Sequence, residues 1–396
     1  MPHIPASQAL DHITVIDLTQ VRAGPTCCRQ LADWGANVIQ VQMPESMRAD
    51  DTLGGQDGAD YQYTHRNKRS ITLNLKKAEG VTLLKTLVAK ADVLVENYRP
   101  DVKTKLGIDY ESLAPLNRRL VYASISGFGQ TGPYAGRPGF DQVAQGMGGL
   151  MSVTGEPGST PMRVGIAIAD LCAGIFAAQG ILTALLEREK SGQGQWVHTS
   201  LLGSMLYMMD FQTSRWLLDG VLPRQAGNYH PTSMPTGVYH TQDGSINIAV
   251  FGTRIWERFC KIIGLPQLAT DPRFATKKDR SDNRAELNRL INEQLRHQPS
   301  HYWIEQFNQG GVACGPIYDV QQALECEQVQ HLGIVKQLVS KERGAQKFVG
   351  QPMQLSRTPS NITMPTPRRG AHTAEVLAEF GLGSADLERL QAQGVF

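Results

Sequence analysis

Through the first 126 residues, short apolar runs alternate with longer stretches whose apolar residues recur at helical spacing. Ile13-Thr-Val-Ile-Asp-Leu18 is a β-rich run, followed by Gly24-Pro25, a helical stretch at 28–34, Gly35 and a second apolar run, Val38-Ile-Gln-Val41. This is the pattern of a βαβ unit. It returns as a helix over 81–89, a strand at 93–96, a helix over 110–117 and a strand at 120–126. Such alternation predicts an α/β fold with a doubly wound parallel sheet. Ligands of these sheets sit outside the carboxyl ends of the strands, which points to 19–24, 97–99 and 127–132. None of these loops carries GxGxxG or GxxxxGK(S/T). Gly127-Phe-Gly-Gln-Thr-Gly132 comes nearest, but it runs into Pro133 rather than a helix, so a dinucleotide fingerprint is not supported.

From about residue 222 the pattern changes. Pro223, Gly227, Pro231, Pro235 and Gly237 interrupt the chain, and strands at 237–241 and 245–250 then flank the turn Gln242-Asp243-Gly244. Helical spacing follows at 255–263, 284–295 and 301–308, and after a proline-rich stretch at 359–367 again at 372–380 and 384–393. With 396 residues, two domains are expected. The divisions are a large domain over 1–227, a smaller α+β domain over 228–316, and a linker and C-terminal segment over 317–396.

Composition narrows the function. A net charge of +2, with basic residues scattered among acidic ones, gives no case for a nucleic-acid partner. The tightest basic cluster, His65-Arg66-Asn67-Lys68-Arg69, is too short to track a groove, though long enough to hold one polyanionic cofactor. No basic segment followed by an apolar core opens the chain, and the apolar run at 175–186 is broken by Gln179 and Gly180, so a soluble, cytoplasmic protein with no membrane partner is expected. The six cysteines form no CxxC pair and have no histidine at zinc-finger spacing, which argues for free thiols and against a structural metal.

Asp170 stands out. It is the only carboxylate in Gly165-Ile-Ala-Ile-Ala-Asp-Leu-Cys-Ala-Gly174, and burial disfavours an ionised acid unless it is paired, hydrogen-bonded or chemically employed. Two compatible readings are open: an N-cap for the helical spacing that follows, or a poorly hydrated nucleophile suited to a thioester.

These motifs together resemble the class III CoA-transferases, the group of formyl-CoA transferase and carnitine CoA-transferase that also includes the α-methylacyl-CoA racemases. The likeness runs from Leu10 to the C-terminus. It is carried by Val15-Ile-Asp-Leu, Ala23-Gly-Pro25, Asp33-Trp-Gly-Ala-Asn-Val-Ile39, Asn67-Lys-Arg-Ser-Ile-Thr-Leu73, Ala91-Asp-Val-Leu-Val-Glu-Asn97, Ser126-Gly-Phe-Gly-Gln-Thr-Gly-Pro133 and Gly192-Gln-Gly-Gln-Trp-Val. The resemblance implies an interlocked, ring-like homodimer whose large domain includes the C-terminal tail. It implies no tightly bound cofactor, with coenzyme A and acyl-CoA as substrates of acyl-CoA metabolism. It places Asp170 at the nucleophile position, forming an aspartyl-CoA thioester, with backbone donors of the neighbouring glycine loops as an oxyanion site. It carries CoA contacts onto Arg22 and Ala23, onto Leu73, Asn74, Leu75 and Lys76, onto Asn97, Tyr98, Arg99 and Lys105, and onto Pro138, Gly139, Phe140 and Asp141 beside the thioester. Surface charge is the competing reading for Lys76, Arg99 and Lys105.

Three positions bear on the reaction. The racemases have histidine where Phe140 stands, and a phenyl ring moves no proton, which disfavours racemisation. The formyl-CoA transferases carry a glycine-rich loop where this chain has Val250-Phe-Gly-Thr-Arg-Ile-Trp256, with a single glycine, which argues against a formyl-CoA and oxalate pair. Arg22 replaces a glutamine of the formyl-CoA enzymes, and a guanidinium there suits the second carboxylate of a dicarboxylic acid, or alternatively the CoA phosphates. His65, His198, His230 and His240 are given no catalytic role.

Overall fold

The computed structural model describes residues 2–47 and 55–396. Six parallel strands form its main sheet: β1 (Thr14–Asp17), β2 (Asn37–Gln42), β3 (Lys68–Thr72), β4 (Val93–Glu96), β5 (Val121–Ser126) and β6 (Trp196–Ser200), in the order β3-β2-β1-β4-β5-β6. The order reverses between β1 and β4, and in a doubly wound sheet this switch point opens a crevice at the carboxyl ends of the two strands. β1 and β4 pair in register from Val15 opposite Val93 to Asp17 opposite Val95.

Helices α1 (Ala23–Asp33), α2 (Ala59–His65), α3 (Ala78–Val88), α4 (Pro100–Leu106) and α5 (Tyr110–Leu113) lie among these strands in sequence. The helix expected over 110–117 stops early, because Pro115 turns its end into a single 3-10 turn. After α6 (Asp141–Met147) and α7 (Leu150–Val153) comes the long helix α8 (Ile168–Ser191), then α9 (Leu201–Met208).

Helix α8 has 24 residues and is long and apolar enough to cross a membrane by length and composition, where the broken apolar run had predicted no such span. Its buried stripe Ala169, Ala173, Ala177, Ile181 and Ala184 instead packs into the core against α1 and β5. At Gly174 an added Cβ would fall 2.5 Å from the Ala23 carbonyl oxygen. Only glycine permits this approach, which brings Asp170, one turn earlier on α8, to the start of α1.

The basic cluster at 65–69 does not hold a ligand. It forms β3 and the turn before it, and Arg66, Lys68 and Arg69 are each at most 1% exposed. Arg66 donates to Asp33, 2.7 Å at the closer contact, Lys68 donates to Asp17 at 2.9 Å, and Arg69 makes a two-pronged contact with Glu379 at 2.7 and 2.8 Å. Each cation is neutralised by a carboxylate distant in sequence, so the run is turned inward onto the protein and not toward a polyanion.

The free edge of β3 is covered by a segment distant in sequence, from Met364 to Thr373. The Asn67 amide donates to the Met364 carbonyl, Ser70 N–H to His372 Nδ1, and Thr72 N–H to Thr373 Oγ1, while His372 N–H returns a bond to the Ser70 carbonyl. Burial lowers the His372 pKa, which keeps that imidazole neutral and its Nδ1 available as an acceptor. The hairpin β7 (Thr236–His240) and β8 (Ser245–Ala249) joins β9 (Ala313–Pro316) in a separate antiparallel sheet over a core that includes Trp256, Phe259 and Phe307; β10 (Val335–Ser340) and β11 (Gly344–Val349) form a further hairpin.

Two compact units result. One comprises 1–150, 164–213 and 328–396, and the other 151–163 and 214–327. The second begins earlier and ends later than 228–316 and also draws in 151–163.

Candidate active site

A cleft of about 200 Å³ opens at the switch point, formed wholly within the first unit. Its floor and walls come from the turn after β1 (Gln20 to Ala23), the end of β4 (Asn97, Tyr98), the end of β5 with Gly127, the Gly139-Phe140 pair and the first turn of α8, which presents Asp170. The glycines matter to the wall: a Cβ on Gly127 would stand 2.6 Å from Gly139 Cα, and one on Gly139 would stand 2.5 Å from Gly127 Cα. The backbones therefore touch, and this contact sets the start of α6.

Asp170 is not the helix cap. α8 begins at Ile168, and its N-cap residue, Ala167, has no side chain to offer the first amides. Asp141, at the start of α6, supplies that function from another element. Its Oδ1 accepts from the Ala169 amide at 2.8 Å and the Asp170 amide at 3.4 Å, and its Oδ2 accepts from Gln145 at 2.7 Å. Asp141 is 9% exposed, so it stands beneath the cleft rather than in it.

Burial, joined by the neighbouring charge of Asp141 and opposed by Arg22, pushes the Asp170 carboxyl up to about 6. At pH 7 it is still ionised roughly ten to one. It is a basic, half-desolvated carboxylate, the state in which such a group attacks a carbonyl well. Burial and the charges of Glu96 and Asp17 push the phenol of Tyr98, a residue lining the cleft, up to about 12, so it stays protonated.

The Arg22 guanidinium is mostly buried and meets Asp60 of α2 at 3.0 Å, whose side chain is 63% exposed. Asn97 spends its side chain on the protein: Oδ1 accepts from Gln20 N–H at 2.9 Å and Nδ2 donates to the Gln20 carbonyl at 2.8 Å. Phe140 is 61% exposed at the cleft mouth. Of the other anticipated contacts, Ala23 and Gly139 line the cleft, while Leu73 and Asn74 are buried after β3, with the Asn74 amide donating to the Val395 carbonyl. Leu75 packs against the buried core that includes Leu73, Leu84 and Val376, and Lys76 and Pro138 are exposed. Arg99 and Lys105 are exposed on α4 and its lead-in, both facing Asp101. Sequence reasoning marked the loop at 19–24 but missed Val21 within it, and it missed Asp60 and Leu201 altogether. Val21, at φ 64°, leaves no local signal because a branched residue is not expected in the left-handed region. Among the described residues, no group of three or more His, Cys, Asp or Glu side chains is placed to hold a metal ion.

A doubly wound sheet with a basic carboxylate at its switch point defines an α/β enzyme equipped for chemistry at a carbonyl. The chain belongs to CoA-transferase family III, whose profile matches residues 10–373. It is an enzyme that transfers CoA. It is 38% identical over 382 residues to a succinate–glutarate CoA-transferase of Agrobacterium fabrum, covering 93% of this chain and 95% of that one. An acetyl-CoA:oxalate CoA-transferase of Acetobacter aceti is 37% identical, with 87% and 89% covered. Among solved structures, a CAIB/BAIF family protein from Brucella suis superposes with a TM-score of 0.82 at 34% identity, covering 94% of this chain and 100% of that one.

Proposed function

We propose that this enzyme moves CoA between the thioester of a dicarboxylic acid, of the succinyl-CoA type, and a second free dicarboxylic acid, through a covalent intermediate on Asp170. The observation that carries the reading is that Asp170, its carboxyl raised to about 6, and Arg22 line one cleft. Asp170 attacks the thioester carbonyl, forming a mixed anhydride and releasing CoA thiolate. The thiolate attacks the aspartyl carbonyl, giving the aspartyl-CoA thioester and freeing the donor acid. The acceptor carboxylate attacks that thioester, the thiolate leaves, and its return to the acceptor's carbonyl yields the new acyl-CoA and restores Asp170. No net proton is consumed. Arg22 takes the substrate's second carboxylate, as guanidinium groups do with matched geometry. The two relatives above carry names that include succinate, glutarate and oxalate, all dicarboxylates, which supports this class of acid. Arg99 and Lys105, exposed near the carboxyl end of β4, suit the CoA phosphates.

The protein functions as a homodimer in the cytoplasm. Support for association comes from α8, where Ile175, Leu182 and Leu186 form an exposed apolar stripe, 49, 39 and 70% exposed, beside the exposed Tyr207 of α9. Support for a reducing compartment comes from six free cysteines.

The test is to incubate the protein with succinyl-CoA and hydroxylamine and map the product by peptide mass spectrometry. A hydroxamate on Asp170 is expected; an unmodified Asp170 peptide across a panel of dicarboxylic acyl-CoAs that turn over would sink the covalent route. Sedimentation equilibrium tests the dimer.

A further inference from the structure

Val21 adopts φ 64°. A branched side chain in the left-handed region is an outlier that persists only where its surroundings over-determine it, and such positions cluster at functional sites. Here the surroundings are visible on both sides. Before Val21, β1 runs alongside β4 until the Leu18 amide donates to the Val95 carbonyl at 2.9 Å. Backbone pairing ends there, but the Asn97 side chain continues it, holding both the N–H and the carbonyl of Gln20, at 2.9 and 2.8 Å. After Val21, the Arg22 carbonyl accepts the bond from Thr26 N–H at 2.9 Å that starts α1. The turn is thus pinned at Gln20 by one amide side chain and at Arg22 by a helix, with the strained residue between them.

We infer that Asn97 is a positioning residue: its amide clamps the strained Gln20-Val21-Arg22 turn so that Arg22, whose guanidinium meets Asp60 at 3.0 Å, is held at the wall of the cleft that Asp170 also lines. The anticipated role of Asn97 as a CoA contact is not needed to explain its side chain, whose bonds to Gln20 already use one donor and one acceptor of the amide. The inference rests on Arg22 and Asp170 acting together in the cleft, as proposed above. It adds that neither the arginine nor the carboxylate holds this arrangement unaided. Without the clamp the turn relaxes, Arg22 swings off, and Asp170 loses the cation that opposes its burial.

The decisive measurement is direct titration of the Asp170 carboxyl carbon by NMR in protein labelled at aspartate, which does not depend on the chemical route. Asn97→Ala is expected to raise the Asp170 midpoint in the same direction as Arg22→Gln. The double variant is expected to shift it no further than Arg22→Gln alone, because both changes remove one cation. In turnover, Asn97→Ala should lose up to roughly 100-fold in kcat/KM, the scale of a small misplacement of reacting groups. Val21→Gly relieves the strain without touching the clamp, and Asn97→Ala placed in that background keeps the test open if Asn97→Ala alone folds poorly; the Asp170 midpoint is again expected to rise. An unmoved Asp170 midpoint in folded Asn97→Ala, or additive shifts in the double variant, overturns the inference. Failure to trap the aspartyl intermediate bears instead on the covalent route and leaves this titration result standing.

Discussion

The carboxylate of Asp141 sits on the amino end of the helix that presents Asp170, 2.8 Å from the Ala169 amide and 3.4 Å from that of Asp170 itself. One acid therefore caps the helix and at the same time makes its neighbour harder to ionise. The capping bond and the charge are separable, since asparagine keeps an oxygen acceptor.

Asp141→Asn is expected to move the acidic limb of the kcat/KM profile, set by Asp170 near pH 6, to lower pH, because a like charge that raises the Asp170 pKa is gone. A modest fall in Tm accompanies it, as Gln145 loses its carboxylate partner. A limb that stays in place would separate Asp141 from the ionisation of Asp170.

Asp170 itself should weaken the fold. Its pKa is about 6 in the folded chain and 3.8 as the ordinary value, so between these pH values the folded state binds more protons than the unfolded one. Stability accordingly falls as pH rises through that window, by about 3 kcal/mol once it is complete. Asp170→Asn should be more stable than the parent at pH 7 by up to that amount, with the difference gone below about pH 4. Urea unfolding at several pH values measures it, and equal stabilities at pH 7 would contradict the burial argument.

Lys68 and Asp17 are both 0% exposed and 2.9 Å apart, and Asp17 also accepts from the Thr19 amide and hydroxyl. Lys68→Met leaves a buried carboxylate without its cation, with an expected loss of roughly 3–5 kcal/mol. Adding Asp17→Asn, which removes the orphaned charge while keeping an acceptor for Thr19, should recover much of it. Chemical denaturation of the parent and the two variants decides the point.

Asp60 competes for Arg22 with any carboxylate that enters the cleft. Its side chain is mostly exposed, so the pair is weak, and Asp60→Asn should lower KM for a dicarboxylic acceptor by up to roughly fivefold while leaving a monocarboxylic one unchanged. A raised KM for the dicarboxylate would instead make Asp60 a brace for the guanidinium.

The strands that the sequence made legible were those whose apolar residues face helices on both sides, such as Val93–Glu96, found at the positions expected. β3 was not legible, because Lys68 and Arg69 break the apolar signature of a strand until Asp17 and Glu379 arrive from elsewhere in the chain. β6 was missed because Trp196, His198 and Ser200 break the apolar signature of an edge strand. In the site, Asp170 was conspicuous as one acid in an apolar run, and the Arg22 loop followed from the position of β1. That Asp141 rather than Asp170 caps α8 is a contact across 28 residues, invisible to any local spacing rule. The clamp of Asn97 on Gln20 spans 77 residues and is hidden for the same reason.

The bonds that close β3 also set an order of events during synthesis. All six strands of the main sheet have left the ribosome once residue 200 is out, yet the groups that cover the outer edge of β3, from Met364 to Thr373, are translated well after them. Throughout that interval the nascent sheet carries an open edge, the feature most prone to pair with another chain. A message truncated before residue 364 would therefore yield a protein with its catalytic strands present and that edge permanently unsealed, a product destined for aggregation rather than for a partially active enzyme.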